Sequence, residues 1–212
     1  MTGFNWAEYL ALMAVFGIGA VSPGPDFAMV LRQSIAHGRA PAIATSAGIA
    51  SAIFVHGAYT ILGLGLVIAQ SLWLFTALKF IGAAYLLWLG ISALRAPAPT
   101  PPQDIDAPAR RTMPLGTAYR IGFLTNLLNP KAVLFFLSLF TTLVSAKTLV
   151  VAQGFYVGSM AVMLFVWFAL VSVFFTTPAV RGVFYRLGQW FNRLTGLALI
   201  ALALRVALTQ RH

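Results

Sequence analysis

The chain contains no cysteine. That absence excludes disulfides, thiolate metal sites and thiol nucleophiles, and it leaves the compartment open. Charge is nearly as scarce. Only 8% of the 212 residues are Asp, Glu, Lys or Arg, four of them acidic, and histidine occurs three times. So few carboxylates and imidazoles leave little from which to build a selective metal cage, and no metal site and no cofactor are expected. Soluble domains are about 45–50% apolar and about 25% charged, whereas this chain is 60% hydrophobic with a mean hydropathy of +0.88. A soluble fold of this length has too few charges here to cover itself, so the composition reads as an integral membrane protein, all-α, with about six spans of roughly 20 residues each. The net charge of +10 does not indicate nucleic acid, because the basic residues are scattered at the ends of apolar runs rather than gathered in a block.

The apolar runs predict span one over about Trp6–Leu31, span two over Pro41–Ala69 and span three over Leu72–Leu94. Span four follows over Tyr119–Val144, span five over Leu149–Phe175 and span six over Phe191–Leu208. The N-terminus carries Glu8 and lacks a positive leader region, so it reads as a retained first span rather than a cleaved signal peptide. Residues 96–114, rich in proline and charge, are too polar for a bilayer and form a solvated loop. The chain is read as a single transmembrane domain over residues 1–212, with a first three-helix half over 1–95 and a second over 115–212.

Arg32, Arg39, Arg95, Arg110, Arg111, Arg120, Arg181, Arg186 and Arg193 fall on one side, against Lys147, Arg205 and Arg211 on the other. Nine against three puts residues 96–114 in the cytoplasm. Small residues recur every four positions at Ala44, Gly48 and Ala52, and at Gly154 and Gly158, where helix backbones are expected to pack closely. Tryptophans and tyrosines near the span ends, Trp6, Trp73, Trp88 and Trp190 among them, read as an interfacial belt.

Two spans contradict their own helical pattern. Span one contains Ser22-Pro23-Gly24-Pro25-Asp26, and span four contains Asn129-Pro130-Lys131. Proline removes a backbone donor and clashes with the preceding turn. Backbone left unpaired at membrane depth is tolerated only where protein buries it or where it lines an aqueous cavity. A new helix N-terminus there attracts anions such as a carboxylate. The breaks lie three spans apart, an odd number, so the two halves are expected to form a 3+3 inverted repeat with broken helices one and four. Paired interruptions of this kind point to a transporter's solute site. An α-amino acid, which carries both a carboxylate and an ammonium, suits it.

Asp26 reads either as the N-cap of the helix that resumes after Pro25 or as a binder of ammonium or proton, since an intramembrane acid is functional by default. Lys131 reads as a binder of carboxylate, as a partner of Asp26, or as a side chain snorkelling to the interface. His56, midway along span two, has a reference pKa of about 6.5 that suits a proton relay, although a hydrogen bond to a neighbouring helix accounts for it equally well. Asn126 reads as a cap for the re-entry of span four.

At these residues the sequence resembles the LysE/RhtB family of bacterial amino-acid exporters. The stretch SPGPDFAMVLRQSIAHGRAPAIATSAGIASAIFVHGAYTILGLG is similar to the family's N-terminal signature, and residues 77–90 and 122–140 to its later blocks. The resemblance covers nearly the whole chain outside the central loop. It implies six spans in the bacterial plasma (inner) membrane and export of amino acids or their derivatives by exchange with a proton or other cation. It also implies a homodimer and no enzymatic activity. Carried over by position, its break motifs are Pro23, Gly24, Pro25 and Asp26, then Asn129, Pro130 and Lys131. Two other classes compete. One is a divalent-metal or other small-solute transporter, for which no cysteine, three histidines and one acid deep in a span leave few ligands for a selective metal cage. An intramembrane hydrolase would use Ser22, Ser34, Ser46 or Ser51 near His56, but no glycine-flanked serine motif supports it.

Overall fold

The computed structural model describes residues 4–97, 113–174 and 178–208. Among the described residues there are eight helices and no strand. They are α1 (Trp6–Val21), α2 (Pro25–Ala36), α3 (Arg39–Gln70), α4 (Leu72–Arg95), α5 (Leu115–Leu127), α6 (Pro130–Leu143), α7 (Val150–Phe174) and α8 (Pro178–Leu208). α3, α4, α7 and α8 each contain a segment long and apolar enough to cross a membrane, and the pairs α1–α2 and α5–α6 qualify as bent spans. The polytopic helical bundle and the two broken helices are therefore as expected.

Both breaks follow from local chemistry. α1 begins at Asn5, whose side-chain oxygen accepts from the amides of Ala7 and Glu8 at 3.1 and 3.2 Å, and it ends before the prolines. Pro25 opens α2 and Pro130 opens α6, the first helical position, where a missing N–H costs nothing. The chain turns by 53° at the first break and by 59° at the second. Gly38, at φ 87°, makes the turn between α2 and α3, a backbone conformation that disfavours any side chain.

Some boundaries differ from the sequence reading. α2 runs on to Ala36, so Arg32 and Gln33 sit on a helix rather than in a polar loop. Arg32 is exposed, and nothing in its helical position demands a loop. α5 starts at Leu115, four residues before the expected edge, because the polar loop ends at Pro114. α8 continues back to Pro178, well before Phe191. Residues 98–112, including Arg110 and Arg111, lie outside the described residues, as do Thr176, Thr177 and Arg211.

α3 packs most extensively along α5, and α4 along α8. The α3–α5 seam brings backbones into contact. A Cβ at Gly48 would meet the Tyr119 carbonyl oxygen and lie 2.7 Å from the Phe123 nitrogen. A Cβ at Gly122 would meet the Thr45 carbonyl group. The Thr45 hydroxyl donates across the same seam to the Ala118 carbonyl at 3.1 Å. Gly48 thus has the expected role, but Gly154 and Gly158 do not, since a Cβ at either would meet nothing within 4 Å. They lie on an outward stretch of α7 beside Val151, which is 84% exposed. Such apolar exposure suits a face turned to lipid. Inside, Phe136, Leu139 and Phe140 of α6 and Tyr156 and Met160 of α7 belong to one buried apolar core.

At one end, Glu8 is buried and fully engaged. It accepts from the Ser145 amide at 3.0 Å and from the Thr148 hydroxyl at 2.9 and 3.1 Å. The acid seen in the sequence only as an argument against a leader peptide therefore fixes α1 to the α6–α7 connection.

Candidate functional site

The two breaks face each other. Asp26, two residues into the first break's resumed helix, meets Asn126 from the last turn of α5: Asn126 Nδ2 donates to Asp26 Oδ2 at 2.8 Å. His56 of α3 completes the junction, with Nε2 3.0 Å from Asn126 Oδ1 and Nδ1 2.8 Å from the Tyr59 hydroxyl. His56 is fully buried, so both ring nitrogens need these partners. The directions of the bonds are fixed by chemistry. Asn126 spends its N–H on Asp26, so its carbonyl oxygen must accept from His56 Nε2–H. In neutral His56, Nδ1 is then the acceptor and Tyr59 the donor. Tyr59, His56, Asn126 and Asp26 form one chain of donors that ends at the carboxylate.

The other carboxylate oxygen, Asp26 Oδ1, is buried and has no hydrogen-bond partner. A proton arriving at Asp26 therefore belongs on Oδ1, because Oδ2 already accepts from Asn126. Asp26 is not the cap of α2. That place falls to Gly24, in an extended conformation with no side-chain cap bond, because two prolines shift the start of the helix to Pro25. Gly24 is open to substitution: a Cβ there would lie 3.6 Å from Lys131 Nζ, an ordinary contact.

Asn126 is not a cap either. Asn129 caps α6, its Oδ1 accepting from the Lys131 amide at 3.0 Å, which leaves Asn126 free to bridge. Of the three readings of Lys131, pairing with Asp26 takes the form of a charge interaction across the break, and among the described residues no salt bridge joins the two. Asp26 takes Asn126 instead, and the half-buried Lys131 ammonium points towards Gly24 at the first break.

Two cavities adjoin the breaks. One of about 70 Å³ is lined by Asp26, Asn126, Asn129 and Lys131, with Gly24 and Pro25. The other, about 400 Å³, is lined by Pro23, Pro130 and Lys131 with Tyr85, Ser92 and Asn192. The structure thus brings all nine sequence-predicted site residues to this junction: Pro23, Gly24, Pro25, Asp26, His56, Asn126, Asn129, Pro130 and Lys131.

Three of the four serines of the hydrolase reading are committed elsewhere. Ser34 donates to the Ser172 carbonyl at 2.9 Å, Ser46 lies 3.1 Å from the Ser172 hydroxyl, and Ser51 donates to the Ala47 carbonyl. With His56 held by Tyr59 and Asn126, no Ser–His pair forms among the described residues. The reading of the sequence missed Tyr59, although its spacing from His56, three residues on a helix, places both on one face.

Comparison with known proteins agrees with this architecture. The model of the LysE type translocator family matches residues 17–210. The threonine efflux protein of Escherichia coli strain K12 is 30% identical over 188 residues, covering 89% of this chain and 91% of its own length. The homoserine/homoserine lactone efflux protein of Salmonella typhimurium is 32% identical over 158 residues, covering 74% of this chain and 73% of its own. No solved structure matches. Over nearly its whole length, then, this transmembrane chain belongs to the LysE type translocator family.

Proposed function

We propose that the protein is a secondary exporter of small amino acids or their derivatives across the bacterial plasma membrane, and that it exchanges solute for a proton at Asp26. One observation carries this reading. A carboxylate oxygen without a partner, Asp26 Oδ1, and an ammonium unpaired with it, on Lys131, stand at two facing helix breaks. A zwitterion presents the complementary pair, its ammonium for Asp26 and its carboxylate for Lys131. The names of the relatives, threonine efflux and homoserine efflux proteins, support the solute class.

The coupling follows from the single free oxygen. A proton and a solute ammonium compete for Oδ1, so Asp26 carries one or the other. The donor chain through Asn126 and His56 holds Oδ2 in place during the exchange and keeps the carboxylate from turning. The relation of the two halves as an inverted repeat, with residues 96–114 in the cytoplasm, belongs to the same proposal. It is supported by the corresponding places of the two bends and by the basic count. Alternation between accesses then moves one fixed site from one face to the other.

Proteoliposomes loaded with labelled threonine test the reading. Release should accelerate with an imposed pH gradient and be competed by homoserine more than by large aromatic amino acids. Absence of release for every small amino acid in a panel would contradict it.

A further inference from the structure

The two cavities at the junction differ in what they can hold. The smaller, at about 70 Å³, has room for about two waters at roughly 30 Å³ each. The larger, at about 400 Å³, falls in the range of small-molecule sites, roughly 300–1,000 Å³. Yet Asp26 lines only the smaller one. A solute that fits the larger cavity does not touch the carboxylate.

Four residues line both cavities: Gly19, Ser22, Lys131 and Phe135. Phe135 is the only bulky apolar ring among them. It projects from α6, one turn after Lys131, and brings its ring tip against the α1 backbone at Gly19. A Cβ at Gly19 would meet its ring tip and lie 2.7 Å from Cε1. The missing side chain at Gly19 is thus what gives the ring its seat. Phe135 is only half-buried, in contrast to Phe136 and Phe140 beside it, and cavity flanks it on both sides.

We propose that the larger cavity is an antechamber for the transported solute and that Phe135, seated on Gly19, is the partition between it and the Asp26 pocket. Solute passes when the ring leaves Gly19. The chemical class follows from the lining. Lys131 offers a cation shared by both chambers, while Leu89, Leu134 and Leu199 with Ser92 and Thr195 suit a short, partly apolar side chain. The identity of the solute rests on the export reading; the partition itself does not.

The cysteine-free sequence allows a direct test on the full chain in detergent, without any transport. Ala132 lines only the smaller cavity and Ser92 only the larger. Ala132→Cys and Ser92→Cys are labelled with a small cationic methanethiosulfonate, in otherwise unchanged protein and with Phe135→Ala or Gly19→Ala. Lowering the barrier by 1.4 kcal/mol gives about tenfold. Labelling at position 132 should accelerate at least about tenfold with Phe135→Ala, and also with Gly19→Ala, whose methyl group lifts the ring off its seat. Labelling at position 92 should change less than about twofold, which also reports that the variants are folded. Equal rates at position 132 with and without Phe135, whether fast or slow, would overturn the partition. Acceleration at 132 with no amino-acid transport would leave the partition standing and overturn the export reading alone.

Discussion

Replacing Asn126 with leucine removes two hydrogen bonds of unequal weight. The His56 Nε2–H loses its acceptor at 3.0 Å, and His56 is 0% exposed, so no water replaces it. An orphaned buried donor costs about 1–3 kcal/mol. Asp26 Oδ2 loses its donor at 2.8 Å, but Asp26 borders a cavity with room for water, which can donate in its place. This second loss is about 0.6 kcal/mol, the average for a hydrogen bond between membrane helices. The sum is about 1.6–3.6 kcal/mol, and a chain of this size loses roughly 2–4 °C in Tm per kcal/mol. Asn126→Leu should therefore lower the Tm by roughly 3–14 °C.

His56→Phe keeps a ring against Phe136, whose centroid lies 6.0 Å away, and removes the donor altogether. In that background Asn126→Leu orphans nothing on His56, so its cost should fall to about 0.6 kcal/mol, a coupling of about 1–3 kcal/mol. Thermal unfolding followed by the fluorescence of the five tryptophans reads all four proteins. An equal loss in both backgrounds would refute the assignment of Asn126 as the acceptor for His56.

Gly48→Leu should abolish stable folding, because its side chain enters the α5 backbone, whereas Gly158→Leu, facing open space, should leave the Tm within about 1 °C of the parent, given the small effect of surface changes. Size-exclusion profiles in detergent check both. Glu8→Ala strands the Ser145 amide and the Thr148 hydroxyl and should cost about 1.5–3 kcal/mol, the range for hydrogen bonds to a charged group. Glu8→Gln keeps an acceptor and should lose less than half of that in a thermal melt. A cysteine at position 104 should resist an impermeant thiol reagent in intact cells and react once they are opened, as the proposed cytoplasmic placement of that loop requires.

The long apolar helices and both breaks are legible in the sequence because they rest on local chemistry. Apolar runs set the helices, and Pro23, Pro25 and Pro130 end or begin them whatever surrounds them. The site residues are legible for the same reason, since polar groups at membrane depth are few. Their roles are not. Asp26 reads as a cap or a binder and Asn126 as a cap, because capping depends on neighbours in the chain, while bridging α2, α3 and α5 depends on neighbours in space. Asn129, one residue before Pro130, holds the cap of α6 and frees Asn126. The same limit applies to glycine. Gly48 and Gly158 look alike in a four-residue repeat, yet one touches a backbone and the other faces outward. Gly19 and Phe135 carry no motif at all. Their relation exists only once α1 and α6 lie side by side.

The central claim is that Asp26 carries either a proton or the solute. Asp26→Asn preserves shape and still accepts from Asn126, so the variant should fold, insert and exchange labelled threonine across proteoliposomes at equal pH. It should lose accumulation driven by a pH gradient, because no titratable oxygen remains at the break. Undiminished pH-driven accumulation by Asp26→Asn would contradict the account and move the coupling group away from Asp26.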